Sequence, residues 1–284
     1  MAGQQRVTVV TDSTSYLPAG LADELGVQVV PLQVQLGGRS GLEGLDVTPA
    51  DLTAALRVRT AVTTSRPTPA EFVEVYRAAL DAGATTVVSL HLSAELSGTC
   101  DSARLAAAEF EPGVIRVIDS RSAAMALGFA VLAAARTAVT GVDPDQVEQA
   151  ARTCLGRTSA LFYVDSLEWL YRGGRIGSAA ARFGTALAVK PLLHLSDGRI
   201  MPLEKVRTSS KAIARLVALT VMAAGPGPVD VAVQHLAAPE RAAEVAGRLK
   251  DALPNLDQLY ESEVGAVVGA HVGPGLLGVV VTRH

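Results

Sequence analysis

Hydroxyl side chains gather in two short stretches whose make-up suits the capture of a small anion. TTSRPTPAEF (63–72) and HLSAELSGTCDSA (91–103) each place Ser and Thr just before a helical pattern. Hydroxyls and backbone N–H groups at helix N-termini are donors ready for a carboxylate or phosphate. Thr64 and Ser65 are the candidates in the first stretch, and Ser97, Gly98 and Thr99 in the second. Singly, each stretch also reads as an ordinary helix cap. VVTDST (9–14) runs from a strand into a polar loop, where Ser13 or Thr14 either caps the next helix or faces a ligand crevice. In GAHVGPGLLG (269–278), His271 stands beside glycine-rich backbone, and a loop position there favours a functional imidazole over a structural one.

Other chemistries find less support. Gly273, Gly275 and Gly278 spell G-x-G-x-x-G, but a strand rather than a helix is expected after them, so the dinucleotide-binding context is missing. There is no G-x-S-x-G, P-loop, H-E-x-x-H or EF-hand loop. His91, His194, His235, His271 and His284 show no metal-ligand spacing, and no metal is expected. A hydrolase or transferase using Ser97 and His271 remains open, although no acid is assigned to orient the histidine. In EWLYRGGRIG (168–177), Arg172 and Arg175 flank a glycine pair that either ends a helix or shapes a charged docking surface.

The bulk properties set limits. The chain has 284 residues, 49% of them hydrophobic and only 4% aromatic, so a large core must be built mainly from aliphatic side chains. Its net charge is −3 with no basic block, which argues against a nucleic-acid partner. Cys100 and Cys154 are far apart and read as reduced thiols of a cytoplasmic protein. Neither a secretory leader nor an apolar run long enough for membrane insertion is visible.

The elements that must position these residues follow from periodicity and punctuation. Strands are expected at 7–10, 27–36, 85–92 and 114–120, alternating with helices at 21–26, 48–57, 68–80, from 96–99 onward, through 121–139 and from Asp143-Pro144. Thr48-Pro49 and Thr68-Pro69, the latter followed by Glu71, are helix-start signatures. Such alternation predicts a mainly parallel sheet with helices on both faces. From 160 onward the pattern changes. A strand at 160–166, a hairpin over 189–208 turning at Asp197-Gly198, helices at 209–224 and 239–252, and strands at VDVAVQHL and GVVVTR predict an α+β unit with a mixed sheet. Two domains are expected, residues 1–158 and 159–284.

Seven stretches in order, VTDST, TSRPTPAEF, LSGTCDSA, VIDSRSAAMALGF, DSLEWLYRGGRI, KPLLHLSDGRI and HVGPGLLGVV, together resemble the DegV family of fatty-acid-binding proteins. The resemblance implies the two-domain DegV-like α/β fold, with a long-chain fatty acid such as palmitate, stearate or oleate in a tunnel between the domains. It implies a carrier rather than an enzyme, with no cofactor. The acid would be presented to a separate dihydroxyacetone-kinase-like fatty acid kinase whose acyl-phosphate feeds phospholipid synthesis. Carried onto this chain, Thr64 or Ser65 and Ser97 would hold the carboxylate, and His271 would complete the network around it. Arg172 and Arg175 would face the kinase. Two departures stand out: Arg66 replaces the family's usual Gln, and Cys100 a frequent Tyr.

Overall fold

The structure, a computed structural model, describes residues 6–176 and 190–284. The chain divides into two compact units, Met1–Gln33 with Ser65–Gly156, and Val34–Thr64 with Arg157–His284.

In the first unit, strands β1 (Val7–Asp12) and β2 (Gln28–Val30) flank the short helix α1 (Leu21–Glu24). Residues 27–36, expected as one strand, are broken at Pro31-Leu32, because proline has no N–H for a ladder. The remainder becomes β3 (Gln33–Leu36), which leaves this sheet. Strand β4 (Arg39–Leu42), helix α2 (Pro49–Arg57) and strand β5 (Val62–Ser65) follow, and β4-β3-β5 form a three-stranded sheet. Helix α3 (Pro69–Asp81), strand β6 (Thr86–His91), helix α4 (Thr99–Ala107) and strand β7 (Ile115–Asp119) return to the first unit. Its sheet has the order β2-β1-β6-β7, parallel throughout. Every residue of β6 is buried, which explains its unbroken apolar run. Phe72, Val73, Tyr76 and Ala79 of α3 and Ala103 and Ala106 of α4 share a core with Val10, Val87 and Ile115 of the strands. Helix α5 (Met125–Ala138) packs on β1 and β6 outside that cluster, with ten of its residues buried, so it shows little amphipathic pattern. Helix α6 (Pro144–Arg157) closes the unit, its Asp145 and Glu148 pairing with Arg116 of β7.

The second unit holds strand β8 (Thr158–Tyr163), helix α7 (Glu168–Arg172), strands β9 (Lys190–Ser196) and β10 (Arg199–Val206) and helix α8 (Ser209–Ala224). Strand β11 (Val229–His235), helix α9 (Pro239–Ala252), strand β12 (Leu256–Glu263), helix α10 (Ala266–Val272) and strand β13 (Leu277–Arg283) complete it. The sheet order is β10-β9-β8-β13-β11-β12, antiparallel except for the β11–β12 pair, so it is mixed as expected. Helices α8 and α9 bury Ile213, Leu216, Val245 and Leu249 on it. The β9–β10 hairpin turns at Asp197 and Gly198, both at positive φ (51° and 79°), the conformation that Asp-Gly favours. Val189, the first residue of the predicted hairpin, lies outside the described residues.

The division of the chain differs from the expected one at residue 158. Residues 34–64 belong to the second unit, and the later boundary falls between Gly156 and Arg157. The reason is local packing: this excursion forms its own sheet, and its helix α2 lies against α10.

Candidate functional site

In the second unit, Thr64 and His271 meet although 207 residues separate them, with Thr64 Oγ1 2.9 Å from His271 Nε2. Strand alternation decides which hydroxyl takes part. In β5, Val62 and Thr64 are half-buried while Thr63 and Ser65 are exposed, so only Thr64 turns toward the imidazole. Both hydroxyls were expected in a loop before a helix. They stand on a strand instead, and Thr68 is the residue that caps α3, through a reciprocal capping box with Glu71.

His271 also departs from the loop position expected for it, and sits in the last turn of α10. That helix is set by the 34–64 excursion. The buried Glu43 carboxylate accepts the Val267 N–H at 2.7 Å, satisfying a donor that the first turn cannot pair internally. Gly269 lets Leu52 of α2 and Leu236 pack where a Cβ would stand. On its other side α10 meets α7. Gly173 leaves room for the His271 ring against its own Cα, and Gly273 does the same for Trp169. Burial, helped by the nearby positive charge of Arg175, drives the His271 pKa down from 6.5 to about 4. The imidazole is therefore neutral at neutral pH, able to donate from one nitrogen and accept at the other.

The two arginines separate in role. Arg172 is exposed, pairs with Glu168 at 2.6 Å one turn back and lies 5.7 Å from the Trp169 ring centre. Arg175 is half-buried, donates to the Gly173 carbonyl and lies close enough to His271 to act on its charge. The glycine pair does end a helix, α7, with Gly174 at φ 69°.

The first unit carries the other candidates. Ser97 Oγ lies 2.9 Å from Thr99 Oγ1 and accepts the Thr99 N–H at 3.3 Å, so the half-buried serine closes a turn onto the first residue of α4, whose N-cap position is taken by Gly98. Thr99 is fully buried. Arg66 lies across Gly98, whose carbonyl its guanidinium meets at 3.4 Å, and a side chain on Gly98 would collide with it. Cys100 is buried and its thiol is pushed up to about 11, chiefly by burial, which makes it a poor nucleophile.

The hydrolase alternative needed an acid behind His271. Among the described residues, the charge that acts on its pKa is that of Arg175, a cation. Sequence reading missed Glu43, because an isolated Glu 224 residues from the amide it caps leaves no local signal. It also missed the grouping of Asp230, Asp257 and His284, whose ligand atoms lie within 4.8 Å of one another. Within it, His284 Nε2 pairs with Asp230 Oδ2 at 3.2 Å.

A parallel-sheet unit and a mixed-sheet unit, the second holding a neutral hydroxyl–imidazole pair beside an arginine, define a two-unit α/β protein. The chain belongs to the DegV family, whose model matches residues 6–284. A DegV domain-containing protein of Streptomyces coelicolor is 57% identical over 280 residues, covering 99% of both chains. A DegV family protein from Thermus thermophilus, whose solved structure is described as showing fatty acid binding, is 36% identical, with a TM-score of 0.93 over 99% of this chain and 100% of that one. DegV of Bacillus subtilis, described as a fatty acid binding protein, is 33% identical, with a TM-score of 0.91 and the same coverage. No helix among the described residues is long and apolar enough to cross a membrane.

Proposed function

We propose that this protein is a carrier of long-chain fatty acids and presents the bound carboxylate to a separate fatty acid kinase of the dihydroxyacetone-kinase-like type. The observation that carries the reading is the Thr64–His271 pair, a neutral donor set in a family whose solved members from Thermus and Bacillus are described as fatty-acid-binding. Of the pair Thr64 and Ser65, Thr64 with Ser97 supplies hydroxyls to the carboxylate, and His271 holds the Thr64 hydroxyl in place. Gly98, Thr99 and Arg66 shape the Ser97 side of the head group. Neutral donors hold a carboxylate without the desolvation cost of a buried ion pair. The alkyl chain supplies most of the affinity, at about 0.8 kcal/mol per methylene, so a C16 acid gains roughly 10 kcal/mol before ordering costs.

In this reading Arg172 and Arg175 both face the kinase, Arg175 from beside His271. Titration with oleate tests the first half. Thr64→Val and Ser97→Ala are each expected to weaken binding by about tenfold, the value of a hydrogen bond to a charged group. Unchanged affinity in both would refute the assignment. Arg172→Ala tests the second half: acyl-phosphate formation with the kinase should fall several-fold while oleate affinity stays as in the wild type. Equal rates for the two proteins would remove Arg172 from the docking surface.

A further inference from the structure

Four side chains in the first unit, Tyr76, Ser89, His91 and Asp12, form an unbroken hydrogen-bonded chain with no exposed surface. Tyr76 Oη lies 2.8 Å from Ser89 Oγ, Ser89 Oγ 2.7 Å from His91 Nε2, and His91 Nδ1 3.0 Å from Asp12 Oδ2. Ser89 and His91 are two apart on β6 and so share a face, and Asp12 ends the neighbouring strand β1. The order Ser–His–Asp has the connectivity of a hydrolytic triad. Its serine, however, is buried in mid-strand and also engaged by Tyr76, so no substrate can reach it.

The polarity of the chain is fixed by its end. The Asp12 carboxylate only accepts, so a neutral His91 carries its proton on Nδ1. Nε2 then accepts from the Ser89 hydroxyl, which in turn accepts from Tyr76. Both Asp12 oxygens serve two donors. Oδ1 takes the Thr14 N–H at 3.1 Å and the Thr14 hydroxyl at 2.5 Å, and Oδ2 takes the His91 ring and the Leu92 N–H at 3.0 Å. Leu92 begins the loop that ends at Ser97 and Thr99. The Ser93 carbonyl accepts the Ser97 N–H at 3.1 Å, and Ser97 Oγ accepts the Thr99 N–H. The edge of the Phe72 ring meets the His91 ring at 4.9 Å between centres, which holds the imidazole in plane.

We propose that the Tyr76–Ser89–His91–Asp12 chain is a positioning relay that holds the Leu92–Thr99 loop in the one arrangement that presents Ser97 to an anionic head group. Asp12 and His91 are thus positioning residues that touch no ligand. The role of Ser97 toward a carboxylate rests on the function proposed above, whereas the hold on the loop does not.

The test combines the ring 15N spectrum of His91, amide hydrogen exchange over Leu92–Thr99 and oleate titration of the full-length protein. In the wild type the His91 proton is expected on Nδ1. A proton found on Nε2 with none on Nδ1 would overturn the relay outright, since Nδ1 could then not donate to Asp12. Asp12→Ala should speed exchange at Leu92, Ser97 and Thr99 by tenfold or more and weaken oleate binding by about tenfold. Asp12→Asn keeps one oxygen for the Leu92 N–H and should restore most of both. Should Asp12→Ala fail to fold, Ser89→Ala removes the donor to Nε2 while leaving Asp12 intact. It is expected to mix the His91 tautomers and to speed exchange at Leu92. Wild-type exchange in the folded variants would overturn the proposal. A wild-type protein that binds no oleate would defeat the carrier reading instead, and the tautomer and exchange results would still decide the relay.

Discussion

His271 is the residue on which the functional reading turns, and its titration is open to measurement. Its folded pKa, about 4, lies below the ordinary 6.5 because burial and the Arg175 charge disfavour the imidazolium. The unfolded chain therefore takes up a proton between these values that the folded chain refuses. The contribution of His271 to stability is complete above about pH 6.5 and is lost as pH falls toward 4. Urea midpoints measured across this window should drop for the wild type, and drop less for His271→Gln. Parallel curves for the two proteins would show that His271 is not held neutral. Arg175→Ala should move the His271 titration upward, as read from its ring proton shifts, because a nearby positive charge is removed.

At the scale of elements, α10 shows how distant segments build a site. Its N-terminus is capped by Glu43, its middle accommodates Leu52, and its last turn meets Thr64, all three from the 34–64 excursion. Glu43→Ala should cost about 0.5–2 kcal/mol by urea denaturation, the usual range for a lost helix cap, and weaken oleate binding. Glu43→Gln, which keeps an accepting oxygen, should retain most of both. Gly173→Ala places a methyl group where the His271 ring lies, so it should reduce binding more than it reduces stability.

These contacts also mark the limit of what the sequence could tell. The Thr48 N-cap, the Thr68 capping box, the Asp197-Gly198 turn and the buried β6 run are local signals, and they appear in the structure as read. The seven ordered stretches carried the family. What stayed hidden was non-local. Nothing near His271 announces that its flanking residues form a helix, because α10 is seven residues long and its cap comes from Glu43. Nor does 34–64 announce that it joins the later unit, since β3, β4 and β5 are four-residue strands with mixed exposure. Pairing Thr64 rather than Ser65 with His271 depended on strand alternation, which became visible only once β5 was known to be a strand.

At the scale of the whole molecule, the two cysteines differ in burial, Cys100 being buried and Cys154 partly exposed. With Cys100 buried and its thiol pushed up to about 11, alkylation of the native protein should label Cys154 well before Cys100. The central claim is that a fatty acid occupies this protein. Mass spectrometry under native conditions, on protein purified without detergent and repeated after organic extraction, tests it most directly. The account predicts one fatty acid per chain in the native spectrum, lost on extraction, and recovered as a single stoichiometric species when the extracted protein is refilled with oleate. A protein that carries no fatty acid and takes up none from oleate while still folded would contradict it.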